Sequence, residues 1–128
     1  MALVQPRPDL DIANESFRIA TSEMVSDLVE VLGSRLVAYI AGVSETRAVR
    51  EWGSDQRSPR EEAEKRLRLA WVVMTLIASN ESPRVARTWM MGLNPVLDDV
   101  SAARLIREND ADEVHSRIVS AARAFVSS

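Results

Sequence analysis

Two arginines three residues apart, Arg47 and Arg50, carry the sharpest chemical signal in this sequence. They fall in the run from Ser34 to Trp52, SRLVAYIAGVSETRAVREW. On a helix, residues three and four apart share a face. The apolar stripe Ala48, Val49 and Trp52 therefore leaves Arg47 and Arg50 on the opposite side, flanked by Thr46 and Glu51. A guanidinium is a planar, permanently charged fork of donors that fits both the major-groove edge of guanine and a phosphate. Arg57 and Arg60, a few residues on, are placed to touch flanking phosphates. The alternative is plainer, with Arg47 and Arg50 as solvated charges on an ordinary helix pair.

To present those two groups to a groove, the chain needs a short helix, a tight turn and a second short helix. Leu36, Val37, Ile40 and Ala41 supply the first apolar stripe, with Ala38 small enough for close helix approach. Gly42 offers the backbone freedom for the turn. Val43 is expected to plug the angle between the helices, and Ser44 to cap the second one, with Glu45 in its first turn. Gly53 closes it.

The remaining sequence reads as helical throughout. Val25, Leu28, Val29 and Leu32 repeat at helical spacing and stop at Gly33. Ser58 to Glu61 reads as a capping box with proline at the first helical position. Behind it Ala63, Leu67, Ala70, Trp71, Met74, Ile77 and Ala78 mark a long central helix. Ser82-Pro83 starts another, with Val85, Ala86, Trp89 and Met90 on one face, and Gly92 to Pro95 breaks it. A short helix over Ala102–Arg107 and a last one from Asp110, presenting Val114, Ile118, Ala121, Ala122 and Phe125, complete the chain. No segment alternates with period two for strand length. The expectation is an all-α fold, a helix-turn-helix bundle with a small C-terminal helical subdomain. Residues 1–20 are expected to be a poorly ordered arm, 21–80 the helix-turn-helix domain, and 81–128 the C-terminal domain.

Composition excludes several kinds of chemistry. The 128 residues contain no cysteine and one histidine, His115. A thiol nucleophile, a disulfide framework, a cysteine-based metal site and a histidine cluster are all ruled out. No motif surrounds His115 that would build a catalytic triad. Neither enzyme activity nor a cofactor is expected. Asp98-Asp99 and Asp110/Asp112 lack the glycine and spacing of a calcium loop. The longest apolar stretch, Leu69 to Ala78, is too short for a membrane span, and the first ten residues hold no secretory h-region. A cytoplasmic protein is expected. The net charge of −3 does not favour nucleic acid, but it is unevenly spread. Residues 9–30 carry six acidic residues and one arginine, whereas basic residues gather between Arg35 and Arg68.

The segments Leu32 to Arg35, Ala38 to Val43, Ala48 to Trp52 and Arg66 to Ala70 resemble Xre-type antitoxins. Downstream, Ala86 to Met90 and Gly92 to Leu97 resemble the toxin-binding domain of the Xre/MbcA/ParS group, and Ala121 to Val126 fit the tail of that domain. The resemblance spans roughly residues 25–126. It implies a homodimer that binds operator DNA, represses its own operon, and neutralises a cognate toxin, usually a RES-domain protein that consumes NAD. DNA contacts would fall on Thr46, Arg47, Arg50, Arg57 and Arg60. Toxin contacts would fall on Trp89, Asn94, Pro95 and Leu97. Read without the resemblance, Trp89 and Leu97 are core residues and Asn94-Pro95 is a turn. Met90-Met91 suits either a core or an adaptable interface. Two other functions stay open: a stand-alone transcriptional regulator, and a helical adaptor that has lost DNA binding.

Overall fold

The computed structural model describes residues 9–128, and eight α-helices with one very short β-ladder make up about three quarters of them. The all-α class follows. No helix among the described residues is long and apolar enough to cross a membrane. The helices are α1 (Asp9–Ser16), α2 (Thr21–Leu32), α3 (Ser34–Ala41), α4 (Thr46–Gly53), α5 (Glu61–Asn80), α6 (Pro83–Met91), α7 (Ala102–Arg107) and α8 (Ala111–Ser127).

Helix α5 is the axis of the molecule. Its buried residues, among them Leu67, Leu69, Ala70, Trp71, Val73, Met74, Leu76 and Ile77, point in every direction around the helix. A helix that is apolar all round must be covered all round. Accordingly α1, α2, α3, α6, α7 and α8 all pack against it. One continuous core runs from Ile12 to Ala122 across residue 80, so the division at 80/81 marks a change of helix rather than a gap in packing.

Several local signals act as their residue types dictate. Gly33 ends α2 and starts α3 at φ +85°, a conformation that side-chain-bearing residues rarely adopt. Ser82 accepts the N–H of Val85 at 3.1 Å and Pro83 occupies the first turn of α6, as the Ser-Pro pair implies. Helix α7 spans Ala102–Arg107, as its sequence indicates, with Ser101 accepting the N–H of Arg104.

Other expectations need correction. The described part of the 1–20 arm, from Asp9 on, forms helix α1, and Ile12 is buried at 1 % exposure while Ile19 follows it into the core. Two apolar anchors seven residues apart are too sparse to read as a helical period, but they suffice to dock one short helix on α5. Residues 1–8 lie outside the described residues. Ser44 caps nothing: α4 begins at Thr46, and its N-cap Glu45 makes no side-chain cap bond. The Ser58 capping box also fails, since α5 starts at Glu61 with Arg60 in the N-cap position. Between α6 and α7 lies a two-residue antiparallel ladder, β1 (Leu93–Asn94) with β2 (Val100–Ser101), closed over a 3₁₀ turn at Pro95–Leu97. It is too short to leave a period in the sequence.

The docking of α1 has a direct consequence for stability. Truncating Ile12 to alanine should cost about 2–4 kcal/mol, in the range for emptying a buried apolar site. Phe17→Ala, at a side chain 85 % exposed, should stay within about 0.5 kcal/mol. Urea unfolding followed by circular dichroism measures both, and equal small effects would place α1 outside the cooperative core.

Candidate nucleic-acid interface

The turn between α3 and α4 is built by glycine and by the backbone. Gly42 adopts a left-handed conformation at φ +91°, and its N–H reaches back to the carbonyls of Ala38 and Tyr39. The N–H of Val43 donates to Ala38 O at 3.0 Å, and the half-buried Val43 side chain packs against the core. A Cβ at position 42 would lie 3.1 Å from Nη1 of Arg66. Arg66 in turn donates through that atom to the carbonyl of Ala41 at 3.4 Å and through Nε to Asn109 O at 3.2 Å. Glycine is favoured here by its own φ, and a side chain would in addition crowd the arginine that ties the end of α3 to α5.

Helix α4 packs its stripe of Ala48, Val49 and Trp52 onto α2 and α3. Trp52 is buried, and its indole N–H finds no acceptor among the described residues. Such an orphan donor costs about 1–3 kcal/mol, which the packing of the ring has to offset. The outward face of α4 carries Thr46, Arg47 and Arg50, all exposed, and the C-terminal helices do not cover it. The expected presentation of these side chains to solvent is what the fold produces.

Their electrostatic setting differs from a bare basic face. Glu51 accepts from Arg47 Nε at 3.2 Å and from Arg57 Nη1 at 3.3 Å. Those two guanidiniums, Arg57 first, hold the Glu51 carboxyl below its ordinary range. Arg47 nevertheless keeps 71 % of its side chain in solvent, and exposed pairs of this kind are weak and readily exchanged for another anion. The Arg50 side chain makes no hydrogen bond or ion pair among the described residues; with Ser34, Thr46 and Glu30 it lines a concavity of about 490 Å³ beside α4. Arg60 is exposed ahead of α5, and it shares a second hollow with Arg57 and Arg66.

The four candidate partner contacts of the C-terminal half separate sharply. Leu97 is fully buried. Asn94 is buried too, with its Oδ1 accepting from Val96 N–H at 3.0 Å and its carbonyl from Asp99 N–H at 2.9 Å. These two residues shape the loop from within and offer nothing to a partner. Pro95 is exposed, and half-buried Trp89 packs its ring against Phe125 at a centroid distance of 6.3 Å. The apolar groups that the loop lifts into water are instead Met91, Leu93 and Val96, of which Leu93 is 77 % and Val96 65 % exposed. Met90 is core and Met91 surface, which divides that pair between its two readings. Large apolar side chains inside a Gly-Leu-Asn-Pro turn were the available signal for this patch. The bond from Arg117 to Asp98 at 2.6 Å pins the far side of the same loop to α8.

No family model, no curated protein and no solved structure matches this chain.

Proposed function

We propose that the chain is a DNA-binding, antitoxin-like protein that represses its own operon and neutralises a RES-type toxin by direct binding. The observation that carries the DNA half is the uncovered outer face of α4, with Arg47 and Arg50 in solvent behind a glycine turn. A helix of that length on a rigid support is what a major groove admits, and its arginines suit guanine edges and phosphates. A homodimer would place two such helices on successive half-sites. The toxin half rests on the resemblance of residues 86–97 to the Xre/MbcA/ParS group and on the three exposed apolar side chains Met91, Leu93 and Val96 within or beside that segment.

One observation favours the adaptor reading instead: Glu51 already pairs with both Arg47 and Arg57. The two readings differ in what happens when that carboxylate is removed. If α4 meets a duplex, Glu51→Gln frees two guanidiniums, raises affinity for any duplex, and steepens the dependence of log Kd on log salt by about one. An adaptor gains nothing.

Arg47→Ala with Arg50→Ala should weaken binding to the DNA upstream of the coding sequence by about tenfold or more, since each good guanidinium–base contact discriminates by about 1–3 kcal/mol. A low-salt gel shift measures this, and toxin binding should persist in the same variant. Unchanged DNA affinity would remove these two residues from the interface. For the C-terminal half, Leu93→Asp with Val96→Asp should abolish co-purification with a RES-type protein encoded beside this gene while the fold is retained, because both side chains already stand in water. Retained co-purification would move the toxin contact off these two side chains, whereas the absence of any such neighbouring frame would leave the stand-alone regulator as the better reading.

A further inference from the structure

A concavity of about 760 Å³ opens between α3, the turn after Gly42, the first turn of α4, and α7. Its polar lining includes Arg35, Tyr39, Glu45, Thr46, Arg47 and Arg107. Three guanidiniums and one carboxylate line it, and with Arg47 also bound by Glu51 a net positive charge remains, on a chain whose net charge is negative.

Arg107 is the notable member, because it comes from α7, outside the helix-turn-helix. Its Nη1 donates to Tyr39 O at 2.6 Å, and its guanidinium carbon lies 4.7 Å from the centroid of the Tyr39 ring. The side chain is thus fixed by a carbonyl and an aromatic face, with no carboxylate attached among the described residues. Two other arginines on the same half of the molecule are paired with carboxylates, Arg104 with Glu108 and Arg117 with Asp98. A guanidinium has five N–H donors, so holding Tyr39 O leaves most of them for a ligand. A fixed fork of donors with unspent charge is the arrangement that recognises phosphate oxygens. Arg35, one turn before Tyr39 on α3, is exposed and likewise has no carboxylate partner among the described residues. Thr46 lines both this concavity and the one beside Arg50, so the two meet at the start of α4. Open, polar and continuous around a helix end, the surface fits a rod of phosphates rather than an enclosed small anion.

We propose that Arg107, together with Arg35, grips a backbone phosphate of the duplex that α4 enters. The inference rests on the DNA-binding reading and adds an anchor that positions the protein without reading sequence, supplied by the C-terminal half. Phosphate contacts release condensed counterions and so set the salt dependence of binding.

The test compares the salt dependence of binding to two duplexes, one from upstream of the coding sequence and one unrelated, for the full chain and its variants. Arg107→Gln keeps a donor for Tyr39 O while removing the charge. It should weaken binding to both duplexes alike and lower the magnitude of the slope of log K against log salt by about 0.9, the value of one phosphate contact. Arg107→Lys, which restores the charge, should recover the slope. Thermal unfolding of each variant accompanies the binding data. A wild-type slope in Arg107→Gln, or a slope that Arg107→Lys fails to restore, overturns the proposal. If that happens while Arg47→Ala with Arg50→Ala still loses binding, the DNA reading survives without this anchor. If the unaltered chain binds neither duplex, both fall together.

Discussion

Arg66 and Arg68 leave α5 two residues apart, which on a helix sends them to opposite sides, and each ends on main-chain carbonyls of other elements. Arg68 donates to Ser16 O at 2.6 Å, to Ile19 O at 3.2 Å and to the hydroxyl of Thr21 at 3.3 Å, while Glu64 holds its Nε and accepts from the same Thr21 hydroxyl. Arg66 donates to Ala41 O and Asn109 O. Carbonyls at helix C-termini have no partner within their own helix and carry the negative end of its dipole. A half-buried guanidinium is a suitable cap for several of them at once. The apolar faces of α5 gather the other helices by burial alone, which has no direction. These two side chains give the gathering a register, fixing where α1 ends on one side and where α3 and the α7–α8 link sit on the other.

The geometry of the proposed interface descends from that register. Arg66 meets α3 at its last carbonyl, and Gly42 leaves room for the contact while turning the chain by its positive φ. Helix α4 then has one place to go. Its buried stripe, sealed by Trp52 despite the unpaired indole N–H, rolls Thr46, Arg47 and Arg50 outward. Because α7 packs on α3 as well, Arg107 comes to the same edge as the first turn of α4. The two halves of the chain thus share one core and also one concave surface.

What the sequence revealed and what it hid divide along sequence separation. The stripes of α2, α3, α4 and α5, the Ser-Pro start of α6 and the bounds of α7 depend on neighbours within a turn or two, and they were legible. So was the outward orientation of Arg47 and Arg50, which follows from helical geometry once Ala48, Val49 and Trp52 are buried. Arg66 and Arg68 were visible only as charges interrupting an apolar helix, since their carbonyl partners lie 25 to 52 residues away. Arg107 was hidden for the same reason, with Tyr39 68 residues distant. Leu97, read as core without the resemblance, is fully buried, whereas Asn94 shows a different failure. Its place within a turn was read correctly, but residue type alone does not tell which members of a turn face inward, and here the ladder and the 3₁₀ turn bury Asn94 and expose Leu93 and Val96.

Charge is the remaining constraint on the DNA reading, because a chain with a net charge of −3 should be repelled by a polyanion if its charges were evenly mixed. They are segregated. On α2, Glu23 is exposed and Asp27 accepts the indole N–H of Trp71 at 3.2 Å, so part of the acidic excess lies away from α4 or is engaged with the core, while Glu30 shares the concavity beside Arg50. The edge formed by α3, α4 and α7 presents Arg35, Arg47, Arg50 and Arg107 against Glu30, Glu45 and Glu51. At physiological ionic strength, exposed charges are screened beyond about 8 Å. A duplex laid on that edge would feel these four guanidiniums and three carboxylates far more than the charges elsewhere on the chain. The sign of the local surface, rather than that of the whole chain, decides which polyion can approach. On this edge the sign depends on Glu51, whose carboxylate binds two of the arginines a duplex would need.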